Sequence, residues 1–341
     1  MIIEGKAKIK VSTGKISKKL PVFYNPVMKL NRDVSILLLK SINQPFRVGL
    51  PLAGSGVRGI RFLQELENIK SVDFNDLKPN FEFIMKENLA LNKLKTSKKA
   101  KIHNKDGNIF LLESKGFDYI DIDPFGTPND FLDAAVKRVS RGGLIAVTAT
   151  DTSALCGSFK NACRRKYWAE QENNELMHET GLRILIRKVQ LIGAQYAKSL
   201  TPIFSYSKHH YMRVFFKSEK SKEQTDKVLK QHSFINNLGP MWTGLLWNKK
   251  LVINMKKNCK KDNKELFNLV KIINQESKID RVGFYNIHTL AKKAKLKKIL
   301  KMEELIKKVR SKNYKISKTH FNNISIRSDI SEKELIKILK S

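Results

Sequence analysis

The chain carries three groups of residues whose types and spacing can do chemistry. Gly54-Ser55-Gly56-Val57-Arg58-Gly59 lets a backbone turn tightly and approach a ligand at the start of a helix. Such a loop by itself is also a common turn. Asp76 lies about 20 residues downstream, at the distance where a carboxylate accepts both hydroxyls of a ribose. Taken singly, it reads equally well as the N-cap of a helix. The pair together points to a cofactor containing adenosine, without choosing between a nicotinamide dinucleotide and S-adenosylmethionine. Asp106, closing a third apolar run, stands where an adenine amine is usually held.

The third group is Asp123-Pro124-Phe125-Gly126, which follows the apolar run Tyr119-Ile120-Asp121-Ile122. It has the form of the acidic-Pro-aromatic loop with which methyltransferases hold exocyclic amines. An aromatic amine is a poor nucleophile because its lone pair is delocalised into the ring. A carboxylate and a backbone carbonyl aimed at its N–H bonds favour the pyramidal nitrogen and the positive charge that develops on methylation. Asp123 supplies the carboxylate and can take the leaving proton, as can water. Pro124 stiffens the loop and lacks an N–H, and Phe125 can stack on the base. The three form the candidate catalytic set. Methyltransferases of adenine N6 or of glutamine usually carry Pro-Pro-Tyr/Phe at this place, and Phe125-Gly126 argues against them.

These groups need a scaffold that brings strand ends together. Short apolar runs alternate with helical patterns between Arg47 and Thr150, the rhythm of a doubly wound α/β domain. Strands are predicted at 48–53, 71–74, 101–103, 117–122 and 144–150, and a helix over about 80–94. Each chemical group then falls at a strand's C-terminal end, where open parallel sheets bind ligands. Beyond Thr150 the pattern predicts a helix over 179–200 and a strand over 211–216. The charged stretch 217–230 reads as a linker. Helical patterns at 264–274, 287–294, 302–309 and 332–339 suggest a small winged-helix-like or α+β module.

With 66 Lys+Arg against 32 Asp+Glu in 341 residues, the net charge is +34. That excess points to a polyanionic partner. Since 41% of residues are hydrophobic, the chain can still bury a core, unlike a disordered basic tail. Residues 1–218 hold 36 basic and 20 acidic side chains, and residues 219–341 hold 30 and 12, so the shorter part is the more basic. Cys156, Cys163 and Cys259 are odd in number and form no C-x-x-C pair, against a disulfide framework or a zinc module. A reducing, cytoplasmic setting follows. No run approaches the roughly 18–20 apolar residues of a membrane span.

The run Asp121 to Pro128, with Phe131-Leu132-Asp133-Ala134, Val147-Thr148-Ala149-Thr150-Asp151-Thr152 and Leu155-Cys156-Gly157, resembles the tRNA guanine-26 N2-dimethyltransferase family. Further motifs extend the resemblance along nearly the whole chain: Phe23-Tyr24-Asn25-Pro26-Val27-Met28, Asn31-Arg32-Asp33, Cys163-Arg164-Arg165-Lys166-Tyr167, His178-Glu179 and Gly239-Pro240-Met241-Trp242. The resemblance implies a class I, Rossmann-like methyltransferase domain over residues 1–217 and a smaller basic α+β tRNA-binding domain over 218–341. It implies S-adenosylmethionine as cofactor, tRNA as partner, and one and then two methyl groups placed on a guanine N2. By motif, Arg32, Ser55, Arg58, Arg61, Asp76, Asp106 and Gly107 surround the cofactor, and Asp123 is catalytic. Some relatives carry a four-cysteine zinc site between the two parts. Residues 217–237 contain no cysteine, so no metal is expected. Neither a membrane nor an obligate protein partner is expected.

Other side chains read as structural. His178-Glu179 borders the guanine pocket or is a cap with a solvated acid, and His209-His210 is satisfied or exposed rather than metal-binding. Trp242 and Trp247 belong to the core. The run Lys292–Lys301 is a solvated helix face that also meets phosphate.

Overall fold

The computed structural model describes residues 1–12, 20, 22–296 and 299–340. At its centre lie five parallel strands, β1 (Phe46–Leu50), β2 (Ile69–Asn75), β3 (Ala100–His103), β4 (Phe117–Ile122) and β5 (Val139–Ala149), extended by the antiparallel hairpin β6 (Lys198–Lys208) and β7 (Tyr211–Lys220). The strand order is β3-β2-β1-β4-β5-β7-β6. Val48, Leu50, Val72, Phe74, Ile120, Ile122, Ile145 and Val147 are all buried, the continuous apolar content of strands covered by helices on both faces. The chain runs outward from β1 to β3 and then returns to β4 beside β1. This reversal leaves a crevice at the C-terminal ends of β1 and β4, the general ligand site of such sheets.

Helices α1 (Lys29–Ser41), α2 (Val57–Glu65), α3 (Phe81–Leu91), α4 (Gly107–Glu113) and α5 (Asn129–Arg138) flank the parallel strands, followed by α6 (Thr152–Leu155), α7 (Lys160–Tyr167) and the long α8 (Met177–Ala194). Two glycines of the loop after β1 have distinct packing reasons. Gly56 precedes α2 with φ +76°, in the left-handed region, and a Cβ there would lie 2.4 Å from Met85 Sδ. A Cβ on Gly59 would come within 2.2 Å of Phe74 Cε1, so only glycine lets α2 sit this close on β2. An N-terminal hairpin, Ile2–Glu4 with Ala7–Ile9, is laced to α3 through Lys8 N to Asn92 Oδ1 and Lys10 N to Asn88 Oδ1, both 2.8 Å.

The predicted linker is ordered structure. β7 continues to Lys220, and Ser221 caps α9 (Lys222–Leu229) by accepting from Gln224 N. Its charges are the outward side of an edge hairpin and of an amphipathic helix that buries Thr225 and Val228. The helix expected to reach residue 200 ends at Ala194, because the chain turns into β6 four residues later.

Beyond α9 come a hairpin, β8 (His232–Ile235) and β9 (Leu238–Trp242), and helices α10 (Lys249–Asn258) and α11 (Lys264–Glu276). The end of the chain is an α+β module: a sheet of order β10 (Tyr285–Asn286), β12 (Ser325–Ser328), β11 (Ile316–Lys318), with α12 (Ile287–Lys293), α13 (Met302–Ser311) and α14 (Glu332–Lys340). One apolar cluster extends from the hairpin's Ala7 through the central sheet to Phe321, and a second, including Leu305, Ile326 and Leu335, belongs to the terminal module. The helix read into the lysine run stops at Lys293, and Lys295 takes a left-handed φ of +52°. Residues 297–298 of that run lie outside the described residues. Among the described residues, no helix is long and apolar enough to cross a membrane.

Candidate active site

A cavity of about 840 Å³ opens at the crevice between β1 and β4. Its walls are the loop after β1 (Leu52, Gly54), the loop after β2 (Asp76, Leu77, Lys78), the loop after β4 (Asp123, Pro124, Phe125, Thr127), and Phe131 on α5. Phe23, Asn25, Met28 and Arg32 close the side facing the N-terminus, and His210 comes from the β6–β7 turn. Of the expected site residues, Arg32, Asp76, Asp123, Pro124 and Phe125 line it. Ser55, Arg58, Arg61, Asp106 and Gly107 stand behind or beside it.

Asp76 directly follows β2, with Oδ2 accepting from Gly54 N at 2.9 Å and Oδ1 from Lys78 N at 3.2 Å. Those backbone donors fix the carboxylate and tie it to the glycine loop. Gly54 has φ +56°, and a Cβ there would point at the Phe23 carbonyl 3.4 Å away, in the gap between the glycine loop and Phe23. Asp106 caps α4: Oδ1 accepts from Asn108 N and Ile109 N at 2.8 and 3.2 Å. Gly107 packs against Phe131, whose ring would lie 3.0 Å from an added Cβ. Ser55 is buried, and its carbonyl accepts from Asn88 Nδ2.

Asp123 is held from behind. Arg58 Nη2 donates to Asp123 Oδ2, while the same guanidinium reaches Asn31 Oδ1 and Ser35 Oγ at 2.9 Å and stands 3.4 Å from Asp121 Oδ2. Asp123 Oδ1 has no protein partner among the described residues. Asp121, two residues earlier on β4, shares the Arg58 guanidinium with Asp123 and meets Arg213 of β7 in a bidentate pair at 2.9 and 2.6 Å. Tyr119 OH donates to Asp121 Oδ2 at 2.5 Å, and Thr148 Oγ1 accepts from Arg213 Nη1 at 2.8 Å. Burial would push the Asp121 carboxyl up, but Arg213 and Arg58 outweigh it and hold it below the usual carboxylate range. Two arginines and two aspartates thus form one nearly closed charge cluster. Its accepting end faces the cavity.

The loop's other side is fixed by the segment after β5. Gly126 N donates to Thr150 Oγ1 at 2.7 Å, and Thr150 N returns a bond to Gly126 O at 2.9 Å. Tyr167 OH bonds Asp151 Oδ1 at 2.6 Å and Thr127 Oγ1 at 3.2 Å. Phe125 is half-exposed and meets Phe23 edge-on with ring centres 4.5 Å apart. In the sequence Phe23 is only part of a motif with no role attached, and His210 reads as satisfied or exposed, so neither is assigned to the site there; both line the cavity.

Arg32 and Arg61 serve the N-terminal hairpin. Arg32 forms a bidentate pair with Glu4 at 2.8 and 2.5 Å, and Arg61 contacts Glu4, Asp33 and Glu65 at 2.7–2.8 Å. Arg61 therefore has its guanidinium committed away from the cavity, whereas Arg32 still edges it. Burial raises the Glu4 carboxyl, yet the two arginines bring it down to about 2. Glu179, read as either a border of the guanine pocket or a solvated acid, does not line the cavity and is fully buried, bonded to Arg183 and Arg327 and to Gly283 N. It too is held at about 2, the arginines outweighing desolvation. His178 instead places Nδ1 3.5 Å from Cys156 Sγ. Trp242 and Trp247 are buried, their indole N–H groups on Leu245 O and Ser205 O.

These shifts set the acid limit of the fold. The folded values of Glu4 and Glu179 lie below the usual 4.5, so their contribution is full above 4.5 and lost as pH falls towards 2. Desolvation and Arg187 lower His232 from 6.5 to about 4, so its contribution fades earlier, between those values. The melting temperature should decline continuously from pH 7 to pH 3. A flat profile across that range would contradict the assignment.

The N2,N2-dimethylguanosine tRNA methyltransferase family model matches residues 5–238 and 235–340. The tRNA (guanine(26)-N(2)/guanine(27)-N(2))-dimethyltransferase of Aquifex aeolicus is 35% identical, with 99% of this chain and 95% of that protein covered. The tRNA (guanine(26)-N(2))-dimethyltransferase of Thermococcus kodakarensis is 35% identical over 96% of this chain and 95% of its own length. The structure of Trm1 from Pyrococcus horikoshii with S-adenosyl-L-methionine superposes with a TM-score of 0.90 at 33% identity, covering 99% of each chain. With the family model spanning nearly every residue and full-length relatives above 30% identity, the chain belongs to the N2,N2-dimethylguanosine tRNA methyltransferase family.

Proposed function

We propose that this chain uses S-adenosylmethionine to place one and then a second methyl group on N2 of guanine 26 in tRNA. The observation that carries the reading is one cavity bounded at one end by Asp76 and at the other by Asp123, Pro124 and Phe125. Its volume of about 840 Å³ suits a cofactor together with a base. When bound, the cofactor supplies an electrophilic methyl group on a sulfonium.

Asp76 receives the ribose hydroxyls, and Leu52, Leu77 and Phe131 provide apolar walls for the adenine. Asp106 spends Oδ1 on its helix and keeps Oδ2 for the adenine amine, with Gly107 beside it. Arg32 and Asn25 border the methionine end. Arg58 acts on Asp123 rather than on the cofactor, turning Oδ2 inward and leaving Oδ1 to accept an N–H of the guanine amine. The Pro124 carbonyl takes the other N–H. The carboxylate stabilises the positive charge growing on nitrogen and accepts the proton released or passes it to water. After one round a single N–H remains, which the same carboxylate can hold for the second. Phe125 and Phe23 stack on the base.

Guanine 26 must leave its stack to reach Asp123, at a cost of a few kcal/mol that backbone contacts offset. Those contacts fall to the basic surface, and residues 219–341, with 30 Lys+Arg against 12 Asp+Glu, carry the denser share. Residues 1–217 thus hold the chemistry, and residues 218–341 add the denser part of the tRNA grip. The protein works in the cytoplasm, with no obligate protein partner. Labelled cofactor and unmodified tRNA transcripts provide the test: label should enter the guanine-26 transcript and not one with inosine there, which lacks the N2 amine. Equal labelling of both would refute the reading.

A further inference from the structure

Helix α7 and the residues flanking it form a strongly basic exposed surface beside the mouth of the cavity. The helix carries Lys160, Arg164, Arg165 and Lys166 and no acidic residue, and all four are exposed. Its buried side is filled by Cys163 and Tyr167, yet the two aromatic residues at its ends stay outside. Phe159 is 64% exposed and Trp168 49% exposed. Trp168 is held there rather than left loose: its backbone is left-handed (φ +56°, ψ +45°), its carbonyl accepts from Arg187 Nη1, and Lys188 Nζ lies 3.0 Å from the ring centre. A bulky residue in that backbone region is strained, and such strain concentrates at functional surfaces.

The surface is coupled to the active site. Tyr167, the last helical residue, bonds Thr127 of the cavity wall, and Asn129 Nδ2 donates to Lys166 O at 2.8 Å. Lys166 pairs with Asp151 at 3.2 Å, while the other three cations remain available. Arg164 pairs at the surface with Glu170 and Asn161, and Lys160 with Glu172, partners that phosphate can replace. Arg165 has no carboxylate partner among the described residues.

We infer that α7 seats the RNA strand adjoining the guanine that enters the cavity. Arg164 and Arg165 bind its phosphates, and Trp168 and Phe159 stack on bases left without a neighbour when the guanine turns out. The inference rests on the proposed function, from which it takes the extruded guanine.

The test uses the full chain and unmodified tRNA transcript. Combined Arg164→Ala and Arg165→Ala should raise KM for tRNA about tenfold or more with kcat and calorimetric S-adenosylmethionine affinity unchanged. The slope of log affinity against log salt should shrink by about two, one for each phosphate contact. The paired change to lysine should keep most of that slope. Trp168→Ala should weaken tRNA binding roughly five- to hundredfold, and Trp168→Phe should preserve it. Because Trp242 and Trp247 are buried, tRNA should quench tryptophan emission in the wild type and not in Trp168→Phe. Wild-type affinity and salt slope in the double alanine variant, or full binding by Trp168→Ala, would overturn the inference. A wild type that binds in this way but forms no methylguanosine would instead sink the proposed function alone.

Discussion

Replacing Asp123 with alanine should cut methyl transfer by about 10²–10⁴-fold while tRNA and cofactor affinities stay within a few fold. The carboxylate touches the cavity through one oxygen and Arg58 through the other, so its loss removes the group facing the amine without opening the cofactor end. The backbone of the loop should survive, because Gly126, Thr127 and Thr150 hold it independently. Arg58 keeps Asn31, Ser35 and Asp121 as partners, which limits the cost of losing one carboxylate. Single-turnover rates with saturating tRNA, read beside calorimetric affinities, separate the two effects. Equal losses in rate and in tRNA binding would remove Asp123 from the chemistry.

Arg213→Met should be the most damaging single change away from the cavity, costing about 3–5 kcal/mol of stability. It strips the bidentate partner from a fully buried Asp121 and leaves that charge to Arg58 at 3.4 Å. Arg58 is then drawn from Asp123 towards Asp121. The companion variant Arg213→Met with Asp121→Leu replaces a buried pair by apolar side chains and should recover most of the stability. Its turnover should remain at least several-fold low, because the cluster that orients Arg58, and through it Asp123, is gone, whereas cofactor affinity should be near that of the wild type. Denaturant unfolding and kcat measured together test this. A double variant with wild-type kcat would assign the cluster to folding alone.

Much of the site was legible because its signals are local. The glycine loop, Asp76 and Asp123-Pro124-Phe125 each sit within a few residues of a strand end, and the periodicity that locates strands locates them too. Arg58 could not be read this way. Its partners Asn31, Asp121 and Asp123 are 27 to 65 residues distant, and only the sheet's strand order brings them together. Arg213 is further still, on a strand paired against β5 at the far side from the glycine loop. The same limit applies to Glu179, whose ion partner Arg327 lies 148 residues away and removes it from solvent. The misread linker has another cause. On β7 the outward residues Lys217, Glu219 and Lys220 are charged while Ser218 is buried, so the strand's apolar alternation ends before its hydrogen bonding does.

The proposed chemistry is tested most directly by the nucleosides formed over time on an unmodified tRNA transcript with S-adenosylmethionine. N2-methylguanosine should rise first and give way to N2,N2-dimethylguanosine, both at position 26, and neither should form with Asp123→Ala. A methyl group on adenosine, on a ring nitrogen of guanosine, or on no nucleoside would contradict the assignment of Asp123 to an exocyclic guanine amine.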